Sequence, residues 1–278
     1  MKKLLVPVDF SDQAKYALDF ATNMAKKINV LIDVIHVADL PVTADPMGVN
    51  LQAYFSADLI TQLEENLTEK LREFTKSIPK KQQGTCELKW GNPFSGISGY
   101  LGENDVDMII MGTKGTSGVR ELFVGSNAEK VVRHVKCPVI TLKNPIDITD
   151  IKRIVFGNDL SLQQDQLAGK IKYLQNIFDA RLDIVRINTP SRFRIDREVY
   201  KELREFAEKY SFKNYSLNIF SDVNEEEGLV YFADQVDANM MALGTHGRKG
   251  LGHLISGSIA EDVVNHAKRP IWTYNTGK

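Results

Sequence analysis

The chain has 278 residues, 43% of them hydrophobic and 26% charged, a composition typical of globular proteins. Its net charge of −1 provides no general attraction to nucleic acid or anionic membranes, so we expect neither as a partner. No apolar run approaches the ~20 residues that span a bilayer, and the two cysteines predict reduced thiols in a cytoplasmic protein, without a disulfide framework or metal site.

The first half of the chain alternates short apolar runs with amphipathic segments. Apolar runs of this length are typical of buried parallel strands, and they predict strands at 3–8, 30–37, 85–90, 108–111 and 139–142. Apolar residues at helical spacing predict a helix after each of the first four strands. Ser11 can cap the first helix, and Pro93 suits the first turn of the third. The stretch 39–55, interrupted by Pro and Gly, predicts a long loop.

The second half of the chain repeats the first. Residues 5–11 (LVPVDFS) align with 155–161 (VFGNDLS) at an offset of 150, and fifteen of the thirty residues in 112–141 are identical to those 132 positions later. Such a repeat predicts two units of one design, 1–145 and 146–278, with the boundary near Pro145 because proline disfavours a continuing helix. Ser161 and Gln164 predict a capping box at the first helix of the second unit.

The order of these elements predicts the fold class. Strands separated by helices favour a parallel sheet with right-handed crossovers and helices on both faces. We therefore expect two tandem, doubly wound, five-stranded α/β domains. In such sheets ligands bind beyond the carboxyl ends of the strands, where the strand order reverses.

A glycine pattern marks the segment most suited to ligand binding. Gly112 and Gly115 are followed after nine residues by Gly125-Ser126, and the pattern recurs as Gly244, Gly247 and Gly257-Ser258. A glycine at a strand end lets a ligand approach the backbone, loop N–H groups can form an anion nest, and the helix N-terminus that follows favours phosphate. The alternative is structural: the glycines form tight turns, and the serines cap helices without a ligand.

The glycine spacing, together with Asp9 at the end of the first strand and Gly91-Asn92-Pro93 after the third, resembles the universal stress protein family over essentially the whole chain. The resemblance implies the strand order 3-2-1-4-5, a Rossmann-like sheet, and in the ATP-binding branch an adenine-nucleotide site. It implies contacts to the adenine end from Asp9 and Val37 in the first half and from Asp159 and Ile187 in the second. It implies that the ribose and phosphates are held by Gly112, Gly115, Gly125, Ser126 and Asn127, and in the second half by Gly244, Gly247, Gly257, Ser258 and Ile259.

The second half departs from this pattern in three places. Val223-Asn224-Glu225 stands where the first half has Gly91-Asn92-Pro93, and Gly157-Asn158 stands before Asp159 where the first half has Pro7-Val8. Residues 225–227 are all glutamate and add negative charge near the predicted anion site. These departures weaken the case for a second nucleotide site.

Four isolated residues have simpler explanations than catalysis. His36, at the end of the second strand, is expected to pack or to contact the backbone. His134 and His266 lie near equivalent helix ends, where a histidine complements the helix dipole. Cys137 is expected to be a buried thiol rather than a nucleophile.

Three functions remain open: a nucleotide-binding stress-response protein that acts through partner proteins, a slow ATP hydrolase or phosphotransferase, and a scaffold without ligand. A hydrolase requires a positioned base or metal carboxylate beside the phosphates. The sequence has Asp9 and Asp159 at the rim but no Gly-Lys-Ser/Thr loop. We therefore expect binding of ATP or a related adenine nucleotide, no catalytic residues and no dedicated metal ligands, although Mg²⁺ could accompany a triphosphate.

The resemblance also implies an association of the two halves. Family members commonly dimerise through the fifth strand. In a fused chain this implies that 139–142 pairs with 271–274 inside one molecule, an association favoured by covalent linkage. A further dimer of two chains stays open.

Overall fold

The computed structural model describes residues 1–39, 57–113, 126–160, 164–245 and 269–277. The predicted loop at 39–55 lies outside these ranges except for Asp39. Most of the glycine-rich segments, 114–125 and 246–268, also lie outside them.

The described elements of the first half follow the predicted alternation. Each predicted strand is present, with its ends no more than two residues from those expected. The elements are β1 (Lys3–Val8), α1 (Asp12–Ile28), β2 (Leu31–Ala38), α2 (Ala57–Thr75), β3 (Gln83–Trp90), α3 (Pro93–Glu103), β4 (Met108–Gly112), α4 (Ser126–His134) and β5 (Val139–Leu142).

The second half repeats this order as far as it is described. Its elements are β6 (Arg153–Gly157), α5 (Asp165–Phe178), β7 (Arg181–Asn188), α6 (Asp196–Lys209), β8 (Tyr215–Ser221), α7 (Glu225–Gln235), β9 (Met240–Thr245) and β10 (Ile271–Asn275).

The strands form one sheet of ten, in the order β3-β2-β1-β4-β5-β10-β9-β6-β7-β8. Each half therefore has the order 3-2-1-4-5, and within each half every pairing is parallel. The α/β class and the strand order are confirmed. The two five-stranded sheets are joined because β5 pairs antiparallel with β10, with Ile140 opposite Trp272, which is the strand pairing that the resemblance implied.

The helices cover both faces of the sheet. Leu4 of β1 belongs to one buried apolar cluster, together with residues of α1, α2, α5 and α6. Its neighbour Leu5 belongs to a second cluster, with residues of α3, α4 and α7. Because successive strand residues point to opposite faces, this division places the two helical layers on opposite sides of the sheet, as in a doubly wound fold.

The helix starts follow the predictions in the first half and depart from them once in the second. Ser11 Oγ accepts the Ala14 N–H at 3.2 Å and caps α1, and Pro93 lies in the first turn of α3. The capping box predicted for α5 is wrong, since α5 begins at Asp165 and Gln164 precedes it. The Gln164 amide instead donates to Asn158 Oδ1 at 2.8 Å, on the loop after β6. Ser161 lies outside the described residues.

A buried carboxylate occupies the same place in each half. Asp33 of β2 is fully buried and receives Lys3 Nζ at 2.9 Å. Asp183 of β7, at the equivalent position, is also fully buried and is paired with Arg153 and, at 3.1 Å, with Arg181. Buried charges persist when they are paired and hydrogen-bonded, so these ion pairs anchor β2 and β7 to the strands beside them.

Candidate functional site

The strand order reverses between β1 and β4 in the first half, and in open α/β sheets the crevice for a ligand forms at the carboxyl ends of the strands at such a reversal. Asp9 directly follows β1, Val37 is the penultimate residue of β2, and Gly112 ends β4. Since the three strands are adjacent and parallel, these three predicted site residues lie along one edge of the sheet. The same topology brings Asp159, Ile187 and Gly244 to the equivalent edge of the second half.

Asp9 organises the turn into α1. Its Oδ1 accepts hydrogen bonds from the Ser11 N–H at 3.0 Å and from the Ser11 hydroxyl at 2.6 Å. The residue between them, Phe10, has φ of 64°, and Leu160 after Asp159 has φ of 62°. This left-handed conformation is uncommon for residues with side chains. It recurs after both aspartates, so the same sharp turn follows the first strand of each half.

Gly112 and Gly244 both have a packing role. A Cβ at Gly112 would lie 2.7 Å from the backbone carbonyl carbon of Gln13, in the first turn of α1. A Cβ at Gly244 would lie 2.6 Å from Leu167 Cδ2 of α5. Glycine at the end of β4 therefore allows close approach of the α1 backbone, whereas at Gly244 the close contact is with the end of a side chain. This packing role is structural, although it differs from the tight turns that the sequence suggested as the alternative.

His36 makes the backbone contact expected of it. Its Nδ1 lies 2.7 Å from the Val8 carbonyl oxygen, which can only accept, so the proton is on Nδ1. The ring lies 4.3 Å from the Phe10 ring, centroid to centroid. Burial lowers the pKa of His36, although the Val8 hydrogen bond raises it. The neutral imidazole is thus favoured, and it ties the ends of β1 and β2 together.

The crevice of the second half contains a cavity of about 50 Å³. It lies at the carboxyl ends of β6, β7 and β9, beside the start of α7. Its lining includes three residues predicted from the sequence, namely Asp159, Ile187 and Gly244. It also includes Asn158 and Arg186, which the sequence reasoning did not assign to a site.

Arg186 is the main residue that the sequence reasoning missed. It is only 7% exposed, and its Nη1 donates to the Asp159 carbonyl oxygen at 2.8 Å. Burial lowers the pKa of its guanidinium, and the nearby cations Arg194 and Arg192 lower it further. The offset of 150 makes Arg186 the counterpart of His36, so comparing the two halves position by position would have found it.

The glutamates at the start of α7 bring less unopposed negative charge to the cavity than the sequence suggested. Glu225 lines the cavity, but its Oε1 is paired with Arg192 Nη1 at 3.4 Å. Asn224 caps α7 by accepting the Glu227 N–H at 2.8 Å. The negative charge that Glu225 brings to this edge is therefore opposed by a neighbouring arginine.

Most residues predicted to hold phosphate lie beyond the described ranges. Among those described, α4 begins at Ser126, and Asn127 follows it in the first turn as a half-buried residue. His134 is the last residue of α4, as expected, and its Nδ1 lies 2.9 Å from the Lys130 carbonyl oxygen. The predicted residues that fall outside the described parts are Gly115, Gly125, Gly247, Gly257, Ser258, Ile259 and His266.

Cys137 has the character of a structural thiol. Its Sγ donates to the Val106 carbonyl oxygen at 3.4 Å, and burial raises its pKa to about 12. A thiol with so high a pKa carries almost no nucleophilic thiolate near neutral pH. Within the described ranges, no cluster of three or more His, Cys, Asp or Glu residues is suited to hold a metal ion. None of the described helices is both long and apolar enough to cross a membrane.

Comparisons with known proteins point to one family. The family model described as the universal stress protein family matches residues 1–143 and 219–275. A universal stress protein of Methanocaldococcus jannaschii is 33% identical over 149 residues, which cover 52% of this chain and 83% of that protein. A universal stress protein of Synechocystis is 22% identical over 293 residues, which cover 99% of this chain and 100% of that protein.

The solved structures add a match to the whole fold. The crystal structure of a universal stress protein from Archaeoglobus fulgidus superposes with a TM-score of 0.73 at 20% sequence identity. The match covers 99% of this chain and 98% of that one. The arrangement of both halves is therefore shared with a solved protein.

Proposed function

This chain belongs to the universal stress protein family, and on that premise we propose that its first half binds ATP or a related adenine nucleotide in a regulatory, stress-response role. The observation that carries the proposal is the position of α4. Its N-terminus, at Ser126, follows the glycine-rich segment that leaves β4 at the strand-order reversal. Open α/β sheets bind ligands at this point of the topology.

The chemistry of the segment supports a phosphate ligand. Gly125 stands directly before the first residue of α4. The free N–H groups and the dipole at the start of a helix favour negative charge, and a preceding glycine allows an anion close to the backbone. Gly112 is already packed against α1, so we assign the phosphates chiefly to Gly115, Gly125, Ser126 and Asn127.

We assign the adenine end of the nucleotide to the rim formed by the carboxyl ends of β1 and β2. Asp9 and Val37 lie at the carboxyl ends of these neighbouring strands. Both are half-buried, so each retains surface that a ligand can contact. In the second half, the equivalent residues and the glycines from Gly244 to Gly257 are the candidates for a second nucleotide site, which the Gly257→Asp variant tests.

Calorimetric titration with ATP tests the proposal. Nucleotide-stripped wild-type protein should bind ATP, and Gly125→Asp should weaken that binding at least tenfold, about 1.4 kcal/mol, because a carboxylate would stand where the phosphates bind. Gly99→Asp is the matched control, since Gly99 is exposed on α3 and a Cβ there meets nothing within 4 Å. It should bind ATP as the wild type does.

The stoichiometry separates one site from two. If Gly257→Asp leaves the number of bound ATP molecules unchanged, only the first half takes nucleotide, and a loss of one equivalent identifies a second site. Absence of ATP binding by the folded wild-type protein would refute the proposal, as would unchanged binding by Gly125→Asp.

A further inference from the structure

Two residues that line the cavity of the second half each carry a buried hydrogen-bond donor without an acceptor. Asn158 is 5% exposed and Arg186 is 7% exposed, and both line this cavity. Asn158 Nδ2 and Arg186 Nε are each buried, and neither has a hydrogen-bond partner within the described ranges. Buried polar groups in proteins are satisfied in the great majority of cases. A pair of unmet donors on one cavity therefore indicates an acceptor that occupies it.

The orientation of the Asn158 amide is determined by its own contacts. Its Oδ1 accepts the Leu160 N–H at 2.8 Å and the Gln164 Nε2–H at 2.8 Å. Because the oxygen is engaged by two donors, the assignment of the amide oxygen and nitrogen follows from the network. Nδ2 is therefore a donor of fixed orientation on a residue that lines the cavity.

The Arg186 guanidinium is also held in place and keeps one edge free. Its Nη1 donates to the Asp159 carbonyl oxygen at 2.8 Å. Its Nε–H, on the edge that also carries Nη2, receives no acceptor from the described residues. Two parallel N–H groups on one guanidinium edge match the two oxygens of a carboxylate or phosphate.

The electrostatic environment of Arg186 combines two other cations with two carboxylates that line the same cavity. Burial and the nearby Arg194 and Arg192 lower the pKa of its guanidinium, whereas Asp159 and Glu225 raise it. Glu225 is paired with Arg192 at 3.4 Å, so its charge is shared with another cation. A guanidinium in a protein remains protonated, and an anion at the free edge would compensate its buried charge.

The size of the cavity limits the ligand. A volume of about 50 Å³ accommodates about three to five water molecules, at roughly 10–15 Å³ for each. Sites for whole cofactors or drug-sized ligands usually measure about 300–1,000 Å³. We propose that this cavity is a binding site for a small oxyanion, a carboxylate or phosphate group, which accepts hydrogen bonds from Arg186 Nε–H and Asn158 Nδ2–H.

The first half lacks this pair of donors. The offset of 150 places Val8 opposite Asn158 and His36 opposite Arg186. Val8 has no side-chain donor, and the His36 proton on Nδ1 is used on the Val8 carbonyl oxygen. The oxyanion site is thus specific to the second half and does not depend on nucleotide binding by the first.

NMR titration of the Arg186 Nε–H resonance tests the site directly. Inorganic phosphate and acetate are the probes, and chloride at matched ionic strength reports general salt effects. At least one oxyanion should shift the resonance with saturation, whereas chloride should not. The anion that saturates at the lower concentration identifies the preferred chemistry, phosphate or carboxylate.

Variants copied from the first half provide the loss-of-function test. Arg186→His and Asn158→Val introduce residues that the same fold already accommodates at these positions, and each should weaken the saturable anion binding at least tenfold in calorimetry. Arg197→His is the matched control because Arg197 is exposed on α6, and its binding should equal that of the wild type.

Two results would overturn the proposal. One is a wild-type Arg186 resonance that neither phosphate nor acetate shifts with saturation up to tens of millimolar, which would mean that only water fills the cavity. The other is full anion binding by folded Arg186→His. Gly125→Asp should retain the oxyanion site, so failure of the nucleotide proposal and failure of this one are distinguishable.

Discussion

A single methyl group at Gly112 should reveal how tightly α1 packs on the end of β4. The added Cβ would lie 2.7 Å from the Gln13 carbonyl carbon, about 0.8 Å closer than the ~3.5 Å at which carbon atoms normally touch. Neither backbone can move easily, since Gly112 is paired with Leu142 in the sheet and Ser11 caps the helix. Overpacking of this kind costs about 1–3 kcal/mol, and we expect Gly112→Ala to lie at the upper end because the contact is with backbone.

The equivalent glycine supplies a matched comparison. At Gly244 the added Cβ would meet Leu167 Cδ2, the end of a side chain that can rotate away. Gly244→Ala should therefore cost less than about 1 kcal/mol, below the usual range for overpacking. Gly99→Ala is the second control, since its Cβ would meet nothing within 4 Å on an exposed helix. It should stabilise the protein by up to about 1 kcal/mol, the helix-propensity difference between the two residues.

Urea unfolding of the three variants measures these differences, with the slope of the transition checked for two-state behaviour. In a chain of this size each 1 kcal/mol lowers Tm by roughly 2–4 °C, so Gly112→Ala should also stand apart in a thermal scan. If Gly112→Ala were as stable as the wild type but lost ATP binding, Gly112 would serve a ligand rather than helix packing. The reasoning would then be wrong.

Three further predictions concern single side chains. Ser11→Ala removes the hydroxyl that caps α1 and should lower the free energy of unfolding in urea by about 1 kcal/mol; unchanged stability would contradict the cap. Burial alone would raise the pKa of Asp183, but hydrogen bonds from Arg153 and two other residues lower it. Its contribution to stability should thus be present above about pH 4 and be lost as the pH falls through its lower folded pKa. Asp183→Asn should flatten the acid limb of a stability–pH curve, and an unchanged limb would exclude this group as its source. A thiol reagent at mildly alkaline pH should modify the exposed Cys86 first, because burial raises the pKa of Cys137 to about 12; equal rates in single-cysteine variants would contradict this.

The strands could be predicted from sequence because their apolar runs are short and bounded. Residues 3–8 are enclosed by charged residues on both sides, and β1 has the predicted bounds. The start of α5 could not be predicted in the same way. The pattern from Ser161 to Gln164 resembles a capping box, but Gln164 is drawn back to Asn158 by a hydrogen bond that hydrophobic spacing does not reveal.

Some residues of the candidate site could likewise be predicted from the sequence, and one could not. Asp159, Ile187 and Gly244 meet at one cavity because parallel strands with the order 3-2-1-4-5 bring their carboxyl ends together. The glycine pattern and the position of Asp159 pointed to this edge of the sheet, and the family resemblance added Ile187. Arg186 could not be predicted in this way, because charged side chains are usually exposed and this one lies inside a buried strand. The Asp159 carbonyl oxygen accepts only one of the hydrogen bonds that its guanidinium can donate. Charge inside an apolar run marks either a buried ion pair, as at Asp183, or a candidate site, as at Arg186.

The pairing of β5 with β10 determines how ligand binding in one half can be coupled to ligand binding in the other. Every strand of the first half runs parallel to β5, every strand of the second runs parallel to β10, and these two strands are antiparallel. The carboxyl ends of the strands in one half therefore lie at the opposite edge of the sheet from those in the other, and the two crevices open at opposite edges. A small ligand in one cannot contact the other. Any coupling between nucleotide at the first crevice and an anion at the second must pass through β5, β10 and the helices packed on them. If these elements transmit no coupling free energy, substitutions at Gly125 and Arg186 should have additive effects on the binding free energies.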